Sequence, residues 1–209
     1  MPITGPFLAG GISRNNQFTA PFNPTVNIPA GALIWVIGGT NVDDTADVVV
    51  TDTAGNAYVN QAFVGVPGVP GSVLVAIARN ANALTTAGQI IITSSVRGDW
   101  DANSYFHLGA QGAIASTDVE FIDTSTTPVA TVTALQAGMT LFGTVAVRGP
   151  SSDGFTVDAV WGADQKGNIP RTNVTIHAGG RVAPNAGQFS YAPVLGTARR
   201  SLIFAASFV

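Results

Sequence analysis

Apolar residues along this chain fall in short β-branched runs, each bounded by Gly, Pro, Asn or Asp. The runs are Ala32–Ile37, Val48–Thr51, Val73–Ala78, Ile90–Ser94, Tyr105–Leu108, Val129–Thr133, Thr140–Val147, Val174–His177, Gln188–Tyr191 and Leu202–Phe208. A further strand is expected to start at Tyr58. No stretch sustains an apolar stripe at i, i+3, i+4 over three turns, so helix is nearly absent from the expectation. Within Leu141–Val147 the bulky residues Leu141, Val145 and Val147 fall on odd positions, the period-2 signature of a strand with two different faces. About ten short strands at fairly even spacing predict an all-β, antiparallel, jelly-roll-like sandwich.

The pattern also divides the chain. Residues 1–24 carry Pro2, Pro6, Pro21 and Pro24 with the isolated Phe7, Phe18 and Phe22, and show no strand rhythm. They are expected to form an extended N-terminal arm whose phenylalanines dock on a neighbouring subunit. Residues 25–209 are expected to form a single composite sandwich. Two stretches within it resemble each other. Val26–Val36 aligns with Val132–Phe142, placing Ala30-Gly31 against Ala137-Gly138. Val73–Arg79 followed by Ala87-Gly88-Gln89 aligns with Val174–Arg181 followed by Ala186-Gly187-Gln188. Chance similarity in an Ala/Gly/Val-rich chain is the competing explanation. If real, the pseudo-repeats cover 25–113 and 130–209, and neither is expected to bury its apolar face alone.

Composition narrows the function. Of 209 residues only 10% are charged, with a single Lys (Lys166) and a single Glu (Glu120), and 46% are hydrophobic. An ordinary soluble domain has about 25% charged residues. Few charges leave little acid–base chemistry and little repulsion between copies. Net charge is −3, and the eight arginines include one adjacent pair, Arg199-Arg200, which is no footprint for nucleic acid. There is no Cys, hence no thiolate nucleophile and no thiolate metal site. The N-terminus lacks a secretory pattern and no apolar run reaches the roughly 18 residues of a membrane span, so the expected product is made in the cytoplasm and binds no membrane.

Candidate chemistry is sparse. Asp52-Thr53-Ala54-Gly55-Asn56 reads as a hairpin turn, with calcium or sugar binding by Asp52 and Asn56 as the alternative. Asp99-Trp100-Asp101 reads either as a polar turn with Trp100 beneath it, as an aromatic platform with hydrogen-bonding arms for a saccharide, or as oxygen ligands for calcium. The Gly and distal Glu of an EF-hand are missing. Asp43-Asp44 with Asp47 reads as a solvated loop, and Gly65–Gly71 repeats Val-Pro-Gly, leaving Val66 and Val69 as exposed apolar loop residues. His107 and His177 lie far apart, without a nucleophile motif or a zinc spacing, and Glu120 has no evident partner for glycosidase work. No enzyme, cofactor or metal is expected.

Val26–Val36, Thr51–Tyr58, Ser151–Thr156 with Trp161, and Tyr191-Ala-Pro-Val-Leu-Gly together resemble a β-sandwich module of tailed-bacteriophage structural proteins. The resemblance implies a non-enzymatic virion part and assigns no functional residue. The expected function is a capsid decoration (cement) protein, a homo-oligomer, most simply a trimer, that contacts the major capsid protein or other virion proteins through Phe7, Phe18, Phe22, Val66 and Val69. The alternative is a carbohydrate-binding module of a head fibre or tail, with Asp99, Trp100 and Asp101 lining a groove.

Overall fold

The computed structural model describes residues 4–41, 46–65, 72–109, 114–149, 153–162, 167–169 and 174–208. The strands are β1 (Thr4–Phe22), β2 (Leu33–Thr40), β3 (Val48–Asp52), β4 (Tyr58–Gly65), β5 (Ser72–Ala78), β6 (Ile90–Leu108), β7 (Ile114–Ser125), β8 (Ala130–Ala134), β9 (Thr140–Arg148), β10 (Phe155–Thr156), β11 (Gly167–Ile169), β12 (Val174–Val182), β13 (Gly187–Tyr191), β14 (Val194–Leu195) and β15 (Arg199–Phe208). One short 3-10 turn, Ala159–Trp161, follows β10. The fold is all-β and antiparallel, as the hydrophobic pattern predicts.

Two large sheets form the middle of the molecule. The first runs β1-β6-β2-β5-β4, with β3 also on β6; the second runs β11-β12-β9-β15-β7. Read as positions within each half of the chain, the orders correspond. The first strand pairs with the last, the last with the strand after the Ala-Gly step, and that strand with the one that leads into Ala81 or Ala183. The turns match in detail. Gly31 and Gly138 both take positive φ, 78° and 87°. Gly31 N–H donates to Ala81 O and Gly138 N–H to Ala183 O, each at 2.8 Å, and the return bonds run from Ala81 N–H to Ala32 O and from Ala183 N–H to Met139 O.

Three apolar clusters fill the spaces between layers. Even-numbered residues of β2 and β5 (Ile34, Val36, Leu74, Ala76) turn toward Phe22, Val48, Val50, Ile92 and Trp100. Odd-numbered residues of the same strands (Leu33, Trp35, Ile37, Val73, Val75, Ile77) turn the other way and meet Phe142, Ile176, Leu202, Phe204 and Phe208 of the second sheet. Beyond it, Leu141, Val145 and Ile203 pack on Val132, Trp161 and Tyr191. One outer cluster is drawn from the first half of the chain alone and the other from the second half alone. The composite part is the middle cluster, where the large sheets lie face to face. Trp35 is its centre, stacked on Phe142 at 4.0 Å and meeting Phe204 and Phe208 edge-on.

Residues 4–22 are not an arm. They form β1 and pair with β6 from Thr4↔Leu108 to Phe22↔Ile90. Prolines do not prevent this, because β1 is the edge strand of its sheet, where a missing N–H costs little. The stretches Ile90–Ser94 and Tyr105–Leu108, read from the sequence as separate strands, are the two ends of the single strand β6. Its first end pairs with β3 and its second with β2, and β1 follows it throughout with register shifts between Arg14, Gln17 and Thr19. Both strands thus pass from an outer layer into the main sheet, and the polar residues at the bend mark a change of layer.

Candidate functional site

Asp52 closes the tightest polar cluster. Its Oδ1 accepts from the N–H groups of Ala54 and Asn56 at 3.0 Å each, and its Oδ2 accepts from Asn56 Nδ2 at 2.7 Å and from the Tyr58 hydroxyl at 3.0 Å. Asn56 Oδ1 in turn accepts from Asn82 N–H, and Asn82 Nδ2 donates to Ala54 O. Four donors occupy the carboxylate, so the cluster fastens the β3–β4 turn to the Asn82 loop and offers no open coordination position. Burial, then the neighbouring Asp52 charge and its hydrogen bond, raise the Tyr58 hydroxyl far above its ordinary range.

The Asp99–Asp101 stretch is strand, not turn, and Trp100 is fully buried, packed near Phe63 in the first core. The period of the strand explains this: Trp100 shares a face with Ala102 and Phe106, which all point inward. Asp101 is likewise buried. Asp99 is half-buried and accepts from Asn16 N–H and Asn41 Nδ2, so it secures the bend between β1 and β6. These three residues therefore form no exposed saccharide platform. Among the described residues no group of three His, Asp or Glu is placed to hold a metal ion.

The residues expected at interfaces separate. Phe7 and Phe18 lie on β1 and are 42% and 46% exposed. Phe7 leans on Phe106 at 5.2 Å, and the Arg97 guanidinium sits 4.8 Å over the Phe18 ring. Phe22, in contrast, is a core residue of the first cluster, because the strand's alternation turns Ala20 and Phe22 inward. Val66 and Val69 lie outside the described residues, as do Asp43 and Asp44.

Beside Phe18 the outer layer presents a face that sequence reading missed. Thr19, Thr93 and Val49 align across β1, β6 and β3, and Pro21, Ile91 and Thr51 form the next row. Thr19, Thr93, Val49 and Thr51 are exposed, while the alternate residues Ala20, Ile92, Val48 and Val50 point into the core. Val96, 51% exposed, stands at the bend. No member of the two rows is charged. Period-2 alternation in Val48–Thr51 carried this signal; the pairing that builds a surface from three distant segments did not show in the sequence.

A cleft in the second half has polar walls. Arg199 Nε and Nη2 donate to Asp153 Oδ2 at 2.7 Å and Oδ1 at 3.3 Å, above Phe155, which stacks on His177 at 3.5 Å. Val147, Thr175 and Leu195 also line it. Asp153 holds the Arg199 guanidinium up in pKa by hydrogen bonding. The acid and the base are spent on each other, and the pair ties the residues after β9 to the start of β15. The chain matches no family model, no curated protein and no solved structure.

Proposed function

We propose that this chain is a non-enzymatic structural protein of a tailed-bacteriophage virion, a capsid decoration protein that works as a homo-oligomer, most simply a trimer. The observation that carries the reading is the pair of uncharged rows on the outer face of β1, β6 and β3, with Val96 and the Arg97-capped Phe18 at its rim. Faces of this kind suit contact with another protein more than contact with water. The fate of the polar side chains agrees with it. Asp52, Asp99, Asp153 and Arg199 all serve as fasteners within the chain. Contacts repeated over a symmetric shell multiply weak individual affinities.

Because β1 is a full strand of the sheet, removing residues 2–24 would destroy the fold and test nothing. The test is light scattering across a concentration series, with the wild type beside a Val49→Glu/Thr93→Glu variant, followed by cosedimentation of both with empty phage heads. The expected result is a closed oligomer and head binding for the wild type, both lost in the variant. A wild type that stays monomeric and leaves the heads unbound overturns the proposal. The saccharide reading loses its platform with the burial of Trp100.

A further inference from the structure

His107 occupies an unusual place. It lies on the face of β6 that looks into the middle cluster, where the two large sheets meet, and it is 1% exposed. Its Nδ1 accepts a hydrogen bond from Trp35 Nε1 at 3.3 Å, which fixes the ring as the neutral tautomer with its proton on Nε2. That Nε2 has no hydrogen-bond partner among the described residues. The ring meets that of Phe142 edge-on with centroids 5.6 Å apart, and a Cβ on Gly180 would stand 3.0 Å from Nε2, beside Pro6.

On β12, His177 and Arg181 alternate with Ile176, Ala178 and Gly180 and so face the opposite side of the sheet. On β7, Asp118 and Glu120 alternate with Val119 and Phe121 and likewise point away from the middle cluster. Arg14, in the middle of β1, pairs with Trp100, seven residues along β6 from His107; Arg148 ends β9, Arg199 and Arg200 begin β15, and β2 and β5 contain no titratable side chain. The alternation of β6 places the buried Asp101 on the same face as His107, six residues away along the strand.

We propose that His107 makes the contact between the two halves an acid-sensitive joint, which loosens on protonation while the outer two cores stay closed. A proton on Nδ1 converts the acceptor of the Trp35 bond into a donor, so two N–H groups face each other in an apolar seam. The cation that results is desolvated in that seam, where burial disfavours its charge. The cheapest relief is local: parting the sheets at this point wets the ring without opening the cores around Trp100 or Trp161. The strong downward displacement of the His107 pKa by burial agrees with this geometry. The inference does not depend on the proposed virion role.

Each cluster holds one of the chain's three tryptophans, Trp100, Trp35 and Trp161, and this supplies the test. The full chain is labelled with 5-fluorotryptophan, and 19F resonances are followed from pH 7.5 to 3.5 with the solvent isotope shift as the measure of exposure. The Trp35 resonance should move and gain a solvent isotope shift at a pH where those of Trp100 and Trp161 remain native. Simultaneous change of all three, or no change of Trp35 down to pH 3.5, overturns the proposal. A His107→Gln variant should move the Trp35 transition to lower pH by at least one unit; an unmoved transition also overturns it. If that variant does not fold, the three resonances of the wild type still decide.

Discussion

The ring of Tyr191 lies on the backbone of Gly143, where any other residue would place its side chain. A Cβ on Gly143 would come within 2.7 Å of Cδ1 and 2.8 Å of Cδ2 of that ring. Gly143 pairs across the sheet with Gly179 on one side and Ala205 on the other, so a row of small residues makes a flat floor. Tyr191 fills the floor and meets Trp161 edge-on at 5.3 Å. This contact closes the third core.

Gly143→Ala should therefore destabilise the protein by about 1–3 kcal/mol through overpacking. In a chain of this size that corresponds to a fall in melting temperature of roughly 2–12 °C. A double-mutant cycle with Tyr191→Ala checks the cause: the alanine at 143 should cost far less once the ring is gone. An unchanged cost would place the strain elsewhere.

Trp100→Ala should act on folding. Removal of a large buried aromatic costs about 3–5 kcal/mol, whereas Trp100→Phe keeps most of the volume and should cost less. Urea titration of the two variants measures the difference. Equal stability of wild type and Trp100→Ala would contradict the burial of this side chain.

Stability should fall on the acid side because of His107. Its folded pKa is pushed down to about 3 by burial, below the roughly 6.5 of an unfolded chain. The unfolded state then takes up a proton that the native state refuses, so the contribution is complete above pH 6.5 and is lost as pH falls toward 3. The slope approaches about 1.4 kcal/mol per pH unit in that window. Chemical denaturation at pH 7, 6, 5 and 4 should show it, and His107→Gln should flatten the limb.

The alkaline side belongs to Tyr58. Its folded pKa is raised by burial and by the Asp52 carboxylate, so the native chain keeps the phenol proton at pH values where an unfolded chain has released it. The stabilisation is whole below about pH 10 and declines as pH rises beyond it. Absorbance at 295 nm should show Tyr58 ionising only together with unfolding. In Asp52→Ala, which removes four hydrogen-bonded contacts from the turn, the unfolding should come at lower pH and the melting temperature should drop.

The fold class and most strands were legible because the apolar runs are sharply punctuated. Val73–Ala78 and Thr140–Val147 coincide almost residue for residue with β5 and β9. Two long strands escaped. In β1 the prolines and isolated phenylalanines hid a period of two, since only Ala9, Ala20 and Phe22 of it reach the first core fully. In β7 eight of the twelve residues are half-buried and four exposed, and the pattern carries no strong contrast. Trp100 was misplaced because Asp and Asn around it imitate turn chemistry, although they lie where β1 and β6 change layer. Of the outer face at Thr19, Thr93 and Val49 only the alternation of Val48–Thr51 was legible, as the rest needs the pairing of segments more than twenty residues apart.

Strands such as β2, β5, β9 and β15 have core on both faces, and β2 and β5 have not one exposed position. Ordinary sandwich strands can drift on alternate residues, because half of each strand faces water. Here that freedom is gone from the centre and survives only in the outer layers and loops. Inheritance of this architecture would keep a memory of its interior and rewrite its exterior, so that distant descendants would share a seam of aromatics and glycines and little else that an alignment could find.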